Sequence, residues 1–88
     1  MQYQIELDRE AVKYLACLPE KQRRQLAGKI ESLRKNPLPQ GYKKLKENVY
    51  RIRSGDYRIV YTVLDKRILI FILAIGNRKD IYKHLPNL

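Results

Sequence analysis

Cysteine, histidine and glycine are scarce in this chain, and carboxylates are outnumbered. Cys17 is the one cysteine and His84 the one histidine among 88 residues. A lone cysteine excludes an intramolecular disulfide, so the fold must stand without covalent staples, as suits a reducing cytoplasm. Without a second cysteine or histidine there is little from which to build a metal cluster, and no cofactor is expected. The four glycines are scattered, which argues against a phosphate-cradling glycine loop. No apolar run approaches the ~20 residues of a membrane span. The longest, Ile68 to Ile75, has eight residues and suits a buried strand. The opening stretch MQYQIELDRE has no apolar signal region. A cytoplasmic protein without membrane contact is expected.

Nine carboxylates face nineteen lysines and arginines, a net charge of +10. Residues 1–36 carry 8 basic and 5 acidic side chains, and residues 37–88 carry 11 and 4. A surplus of this size repels itself in the compact state and calls for a polyanionic partner. Nucleic acid, an anionic membrane and an acidic protein all have that chemistry, with nucleic acid favoured. The length suits one domain over 1–88 with one small core, burying roughly 60–65% of the unfolded surface. The apolar fraction of 44% is that of an ordinary globular chain.

The hydrophobic pattern predicts an α+β fold in the order β-α-α-β-β-β. YQIEL (3–7) alternates like a half-exposed strand. Asp8 is placed to cap a helix with Ala11, Leu15 and Leu18 on its inner face. A second helix starts near Pro19 and repeats Leu26, Ile30 and Leu33, ending at Asn36-Pro37. Its basic residues Lys21, Arg23, Arg24, Lys29, Arg34 and Lys35 form a solvated face, also open to phosphates or an acidic partner. Cys17, near the inner face of the first helix, belongs to the core. NPLPQGYKKLKEN (36–48) is a loop with room for a short strand or turn. Its Lys43, Lys44 and Lys46 are candidate RNA contacts. Val49–Arg53, Tyr57–Leu64 and Arg67–Ile75 then form three antiparallel strands joined by Ser54-Gly55-Asp56 and Asp65-Lys66. ILIFILAI is apolar throughout, so it should lie inside the sheet with both faces covered.

Arg51, Arg53 and Arg58 sit inside these strands, which is an unusual use of strand positions. Alternation puts Arg51 and Arg53 on one face. A two-residue Gly55-Asp56 loop pairs Arg53 with Arg58 and gathers all three arginines. A three-residue loop sends Arg58 to the other face. The first register is favoured, because Gly55 suits a type II′ turn. The opposite face then collects Tyr50, Ile52, Tyr57, Ile59, Tyr61 and Val63 for the core. A polar outer face is ordinary in antiparallel sheets. Like charges directly across two strands are not, because they cost stability. Such a cluster suits phosphate, which guanidinium grips in bidentate fashion. Arg78 follows the last strand at the sheet end. Tyr82 could stack on an unpaired base or simply pack the tail. His84 could move protons near neutral pH or stand exposed.

VYRIRSGDYRIVYTVLDKRILIFILAIGNRKDIY resembles the RelE branch of the RelE/ParE toxin superfamily. The resemblance lies in basic residues around an apolar strand position, GDYRIVY, a hydrophobic strand and GxRxxxY. With the upstream β-α-α it covers nearly the whole chain. It implies a small twisted antiparallel sheet packed against two N-terminal helices. It also implies a toxin that cuts mRNA in the ribosomal A site without metal. In that reaction the 2′-hydroxyl attacks the adjacent phosphate, leaving a 2′,3′-cyclic phosphate and a 5′-hydroxyl. The family's basic strand residues match Arg51 and Arg53, and its later arginines match Arg58 and Arg78. Its stacking tyrosine matches Tyr82, with His84 as the other candidate. Well-known members carry lysines where this chain has Arg51 and Arg53. Arginine scarcely releases its proton, so these two are expected as electrostatic clamps rather than bases. The implied partners are the ribosome with its mRNA and an acidic RelB-like antitoxin that folds over the basic groove. Two rivals are a ParE-like gyrase inhibitor without nuclease chemistry and an inert RNA- or antitoxin-binding module.

Overall fold

The computed structural model describes residues 2–81. The elements run β1 (Gln4–Leu7), α1 (Arg9–Ala16), α2 (Glu20–Ser32), β2 (Lys43–Lys46), β3 (Val49–Ser54), β4 (Tyr57–Leu64) and β5 (Leu69–Asn77). The expected order is present, with β2 added from the lysine-rich loop.

α1 starts where the Asp8 carboxylate accepts a hydrogen bond from the Glu10 N–H at 3.0 Å. It buries Ala11 and packs Tyr14 and Leu15 against the core, which Leu18 joins from just past the helix end. Cys17 departs from expectation. It is exposed, because it is the C-cap residue of α1, past the last inward position of the helix. Pro19 holds the N-cap position of α2, and Leu26, Ile30 and Leu33 are buried. The helix stops at Ser32, before Asn36-Pro37. The next turn is recruited by β1 instead: the Tyr3 N–H donates to the Arg34 carbonyl at 3.0 Å, and the Arg34 guanidinium donates to the Tyr3 carbonyl at 3.2 Å.

The five strands form one sheet in the order β1-β5-β4-β3-β2. The four consecutive strands β2 to β5 are antiparallel neighbours. β1 adds to the far edge parallel to β5, so the sheet is mixed. The two helices carry the chain from β1 to β2 at the opposite edge, and β2, β3 and β4 then lead back to β5. The β4–β5 link is longer than expected. A 3-10 turn at Asp65–Arg67 and a left-handed Ile68 precede β5, which begins at Leu69. Docking of β1 holds that turn: the Tyr3 hydroxyl donates to Asp65 Oδ1 at 2.7 Å, and the Gln4 N–H to the Ile68 carbonyl at 2.9 Å.

The helices cover one face of the sheet. Leu26, Leu33, Ile52, Ile59, Tyr61, Ile70 and Ile72 are fully buried there. Each side chain of this kind contributes about 1.5–3 kcal/mol of burial. Tyr50 and Tyr57 complete that face as anticipated. The other face has a smaller cluster of Val60, Ala74 and Ile81, flanked by Leu45, Val49 and Leu73. β5 is therefore covered on both faces. Among the described residues no helix is long and apolar enough to cross a membrane.

Candidate active site

The turn between β3 and β4 decides where the arginines go. Arg53 pairs with Arg58 and Ser54 with Tyr57, leaving Gly55-Asp56 as a two-residue loop. Gly55 has φ +60, and Asp56 is not among the positive-φ residues, as a type II′ turn requires. Arg51, Arg53 and Arg58 consequently share the face away from the helices. Two like-charge pairs lie directly across strands, Arg53 with Arg58 and Lys43 with Arg51. Each such pair costs stability rather than adding to it.

Three ion pairs join described residues, Glu10–Lys13, Glu20–Arg24 and Glu31–Arg34, and all lie in or next to the helices. Glu10, Glu20 and Glu31 are thus engaged away from the arginine face. Arg51 is only 9% exposed, Arg58 is half-buried and Arg53 is exposed. A guanidinium as deep as Arg51 acts through a lower effective dielectric than one in open water, which strengthens its pull on an anion. Arg58 folds back on its own turn, donating from Nη1 to the carbonyls of Gly55 at 3.2 Å and Tyr57 at 3.0 Å.

Arg78 reaches the same corner by a different device. Its backbone N–H donates to the Asp56 carbonyl at 2.8 Å, which ties the end of β5 to the β3–β4 turn. The residues around it form a local lock. Asn77 Oδ1 accepts from the N–H groups of Lys79 at 3.0 Å and Asp80 at 2.9 Å. This side-chain turn brings Ile81 back over Gly76. A Cβ on Gly76 would lie 3.2 Å from Ile81 Cδ1 and 3.3 Å from its Cα. The glycine of GNR is thus needed for close approach, the asparagine for the turn, and Arg78 is left exposed at the tip. The sequence offered Gly76-Asn77 only as the end of a strand. The partner of Gly76, Ile81, could not be read from spacing.

A bulge in β5 sets the phase of this corner. Val60 pairs with Ala74 but Tyr61 with Ile72, so Leu73 is the extra residue. Ile70, Ile72 and Ile75 all face the helices as a result. The small residues Ala74 and Gly76 lie across from Val60 and Arg58, on the arginine face.

The lysines of β2 divide. Lys43 is opposite Arg51 and joins the arginine face. Lys46 is opposite Val49, on the same face but nearer its other end. Lys44 pairs with Tyr50 and belongs to the helix side, so it does not join the cluster. Tyr82 and His84, the candidate stacking and proton-moving residues, lie outside the described residues. Tyr14 of α1 packs edge-on to Tyr57 with ring centroids 6.4 Å apart. Its hydroxyl is pushed above the usual tyrosine range mainly by burial, with Tyr57 and Asp80 adding and the Asn77 N–H opposing.

A mixed sheet with two helices on one face and a guanidinium cluster at one corner is an architecture with known counterparts. Residues 5–82 match the family described as ParE toxin of type II toxin-antitoxin system, parDE. A RelE1 protein of Methanocaldococcus jannaschii is 37% identical over 96% of this chain and 99% of its own length. The mRNA interferase toxin RelE of Escherichia coli K12 is 30% identical over 90% of this chain and 86% of its own. The crystal structure of the archaeal RelE-RelB complex from Pyrococcus horikoshii OT3 superposes with a TM-score of 0.81 at 32% identity, covering 89% of this chain and 97% of that one. The chain belongs to the RelE/ParE superfamily and is a RelE-type toxin of a type II toxin–antitoxin system. The family description carries the ParE name and the full-length relatives carry the RelE name; the pairwise likeness assigns the branch.

Proposed function

We propose that this toxin is a ribosome-dependent endoribonuclease that cuts mRNA in the A site. The observation that carries the reading is the Arg53–Arg58 pair, with Arg78 tied to the same turn. A corner that gathers several guanidinium groups suits a phosphate that gains charge in the transition state. The 2′-oxygen forms a bond to phosphorus and the bond to the 5′-oxygen breaks. The 2′-hydroxyl proton leaves to a base, and the departing oxygen takes one up. Arg51, Arg53 and Arg58 hold the charged pentacoordinate phosphate, and Arg78 balances the leaving oxygen. Arginine keeps its proton, so the base is another group, with Tyr82, His84, water and ribosomal groups as candidates. Lys43 and Lys46 extend the backbone track along the sheet, and Lys44 faces away from it.

The E. coli relative is named an mRNA interferase, and the Pyrococcus relative was crystallised with RelB. An acidic antitoxin segment laid over the same arginines would neutralise the face and block the site. Such a toxin works in the cytoplasm, where ribosomes are.

The ParE name of the matched family favours one other reading, gyrase inhibition. Induced expression separates the two. Wild-type protein is expected to stop labelled amino-acid incorporation within minutes while plasmid supercoiling persists. Arg58→Ala and Arg78→Ala are expected to lose the arrest by about a hundredfold or more, since each removes a charge-stabilising donor. Loss of supercoiling ahead of translation, or full toxicity of both variants, would contradict the reading.

A further inference from the structure

The arginine face ends at a recess whose outer wall, Lys29 and the turn from Pro39 to Tyr42, has no part in the proposed chemistry. It has a volume of about 420 Å³ and opens at the sheet edge beside the end of β3. Lys29, Lys43, Arg51 and Arg53 line it, and among the described residues no carboxylate does. Its walls are built rather than incidental. Lys29 comes from the last turn of α2 and is half-buried. The opposite wall is a turn closed by the Tyr42 N–H donating to the Pro39 carbonyl at 3.0 Å. Gly41 takes φ +94 within that turn, a backbone angle that glycine adopts freely. The turn sets Tyr42 at the rim, 42% exposed, with its ring braced edge-on against Tyr50 at 5.7 Å.

The backbone of β3 adds to the recess. Ser54 and Tyr57 flank the two-residue turn and exchange their hydrogen bonds. Alternation then turns the N–H and C=O groups of Arg51 and Arg53 away from β4. Arg51 is taken up by Lys43 of β2, and β2 has no partner beyond it for Arg53. Arg53 therefore presents its guanidinium to the arginine face and its backbone edge to the recess.

We propose that this recess is a nucleotide subsite for the mRNA, one nucleotide removed from the cut and resting on the nuclease reading above. Lys29, Lys43 and the backbone N–H of Arg53 take a phosphate, and the Tyr42 ring stacks the base. Cations alone would suit a carboxylate equally well. An exposed, braced aromatic ring beside them matches a nucleotide, which has both an anion and a π-face. Because Arg53 borders both places, a strand held at the scissile phosphate continues into the recess.

Single-turnover cleavage with mRNA-programmed ribosomes, titrated to saturation, tests this. Tyr42→Ala is expected to raise the half-saturating ribosome concentration about tenfold, within the range of base–aromatic stacking, while the saturated rate changes less than about twofold. Tyr42→Phe keeps the ring and is expected to restore wild-type saturation, which separates stacking from a folding defect. Lys29→Gln is expected to weaken saturation and to lower the salt slope by about one. An abasic site at one of the nucleotides flanking the cut should abolish the Tyr42→Ala effect, which a contact to ribosomal RNA would leave intact. If wild-type protein cuts and both Tyr42→Ala and Lys29→Gln saturate like it, the subsite is wrong and the nuclease reading stands. If those variants lose only affinity for an acidic antitoxin peptide, the recess belongs to the antitoxin and the subsite is overturned. If wild-type protein leaves the programmed ribosomes uncut, both fall.

Discussion

Tyr61 shows what one hydroxyl contributes in a core this small. The ring is fully buried and its hydroxyl donates to the Pro37 carbonyl at 2.6 Å. That bond anchors the loop after α2 onto β4, and Tyr50 and Tyr42 stack outward from it to the rim. Burial, with Tyr50 and Tyr42 adding, pushes the Tyr61 hydroxyl well above the ordinary tyrosine range. An unfolded chain releases that proton near pH 10, and the folded chain keeps it. The unfolded state then binds fewer protons, so stability is intact below about pH 10 and declines above it, by at most about 1.4 kcal/mol per pH unit. Tyr61→Phe is expected to lose about 1–2 kcal/mol at neutral pH, because the Pro37 carbonyl loses its donor. It should also flatten the alkaline decline. Urea unfolding of both proteins at pH 7 and at pH 10.5 checks both points. Equal pH slopes would contradict the assignment of the decline to Tyr61.

The decisive element is the segment from β5 into the GNR turn. Gly76→Ala places a methyl against the backbone of Ile81, which cannot swing aside as a flexible side-chain tip could. A destabilisation of about 1–3 kcal/mol is expected, as for other overpacked sites. Cleavage should fall further than stability explains, because Arg78 rides on the same turn. A thermal melt beside a cleavage assay tests this, and a variant with unchanged melt and unchanged cleavage would remove the lock from the account. None of this was legible in ILIFILAI. A strand apolar at every position hides its own phase, so the bulge at Leu73 leaves no mark in the pattern. The hairpin was legible, because alternation in Tyr50, Ile52, Ile59 and Tyr61 and a glycine at the turn both point to one register. β2 was legible only as a loop with room for a short strand, because three of its four residues are lysines and an edge strand tolerates charge on both faces. The pairing of β1 with β5 joins opposite ends of the chain, which no local pattern encodes. Cys17 was misplaced by one boundary, since a residue just past the last turn no longer follows the helix period.

Across the whole molecule, the charge surplus is concentrated on the arginine face, where like charges stand directly across strands. Two of the ion pairs, Glu10–Lys13 and Glu20–Arg24, are exposed helix pairs of the kind contributing about 0.2–0.5 kcal/mol each. The arginine corner adds repulsion against them. Raising sodium chloride from 20 to 300 mM should therefore raise the thermal midpoint of the antitoxin-free protein, since screening relieves the repulsion. A lower midpoint at the higher salt would mean that attraction dominates the surface. That cost is the clearest sign of a functional demand on the arginines, and the demand proposed here is a phosphate in ribosome-bound mRNA. Primer extension on an mRNA, with purified ribosomes and either wild-type protein or Arg78→Ala, tests that demand most directly. The account predicts cuts in the A-site codon that require ribosomes and vanish with Arg78→Ala. Intact mRNA after incubation with folded, antitoxin-free wild-type protein would contradict it.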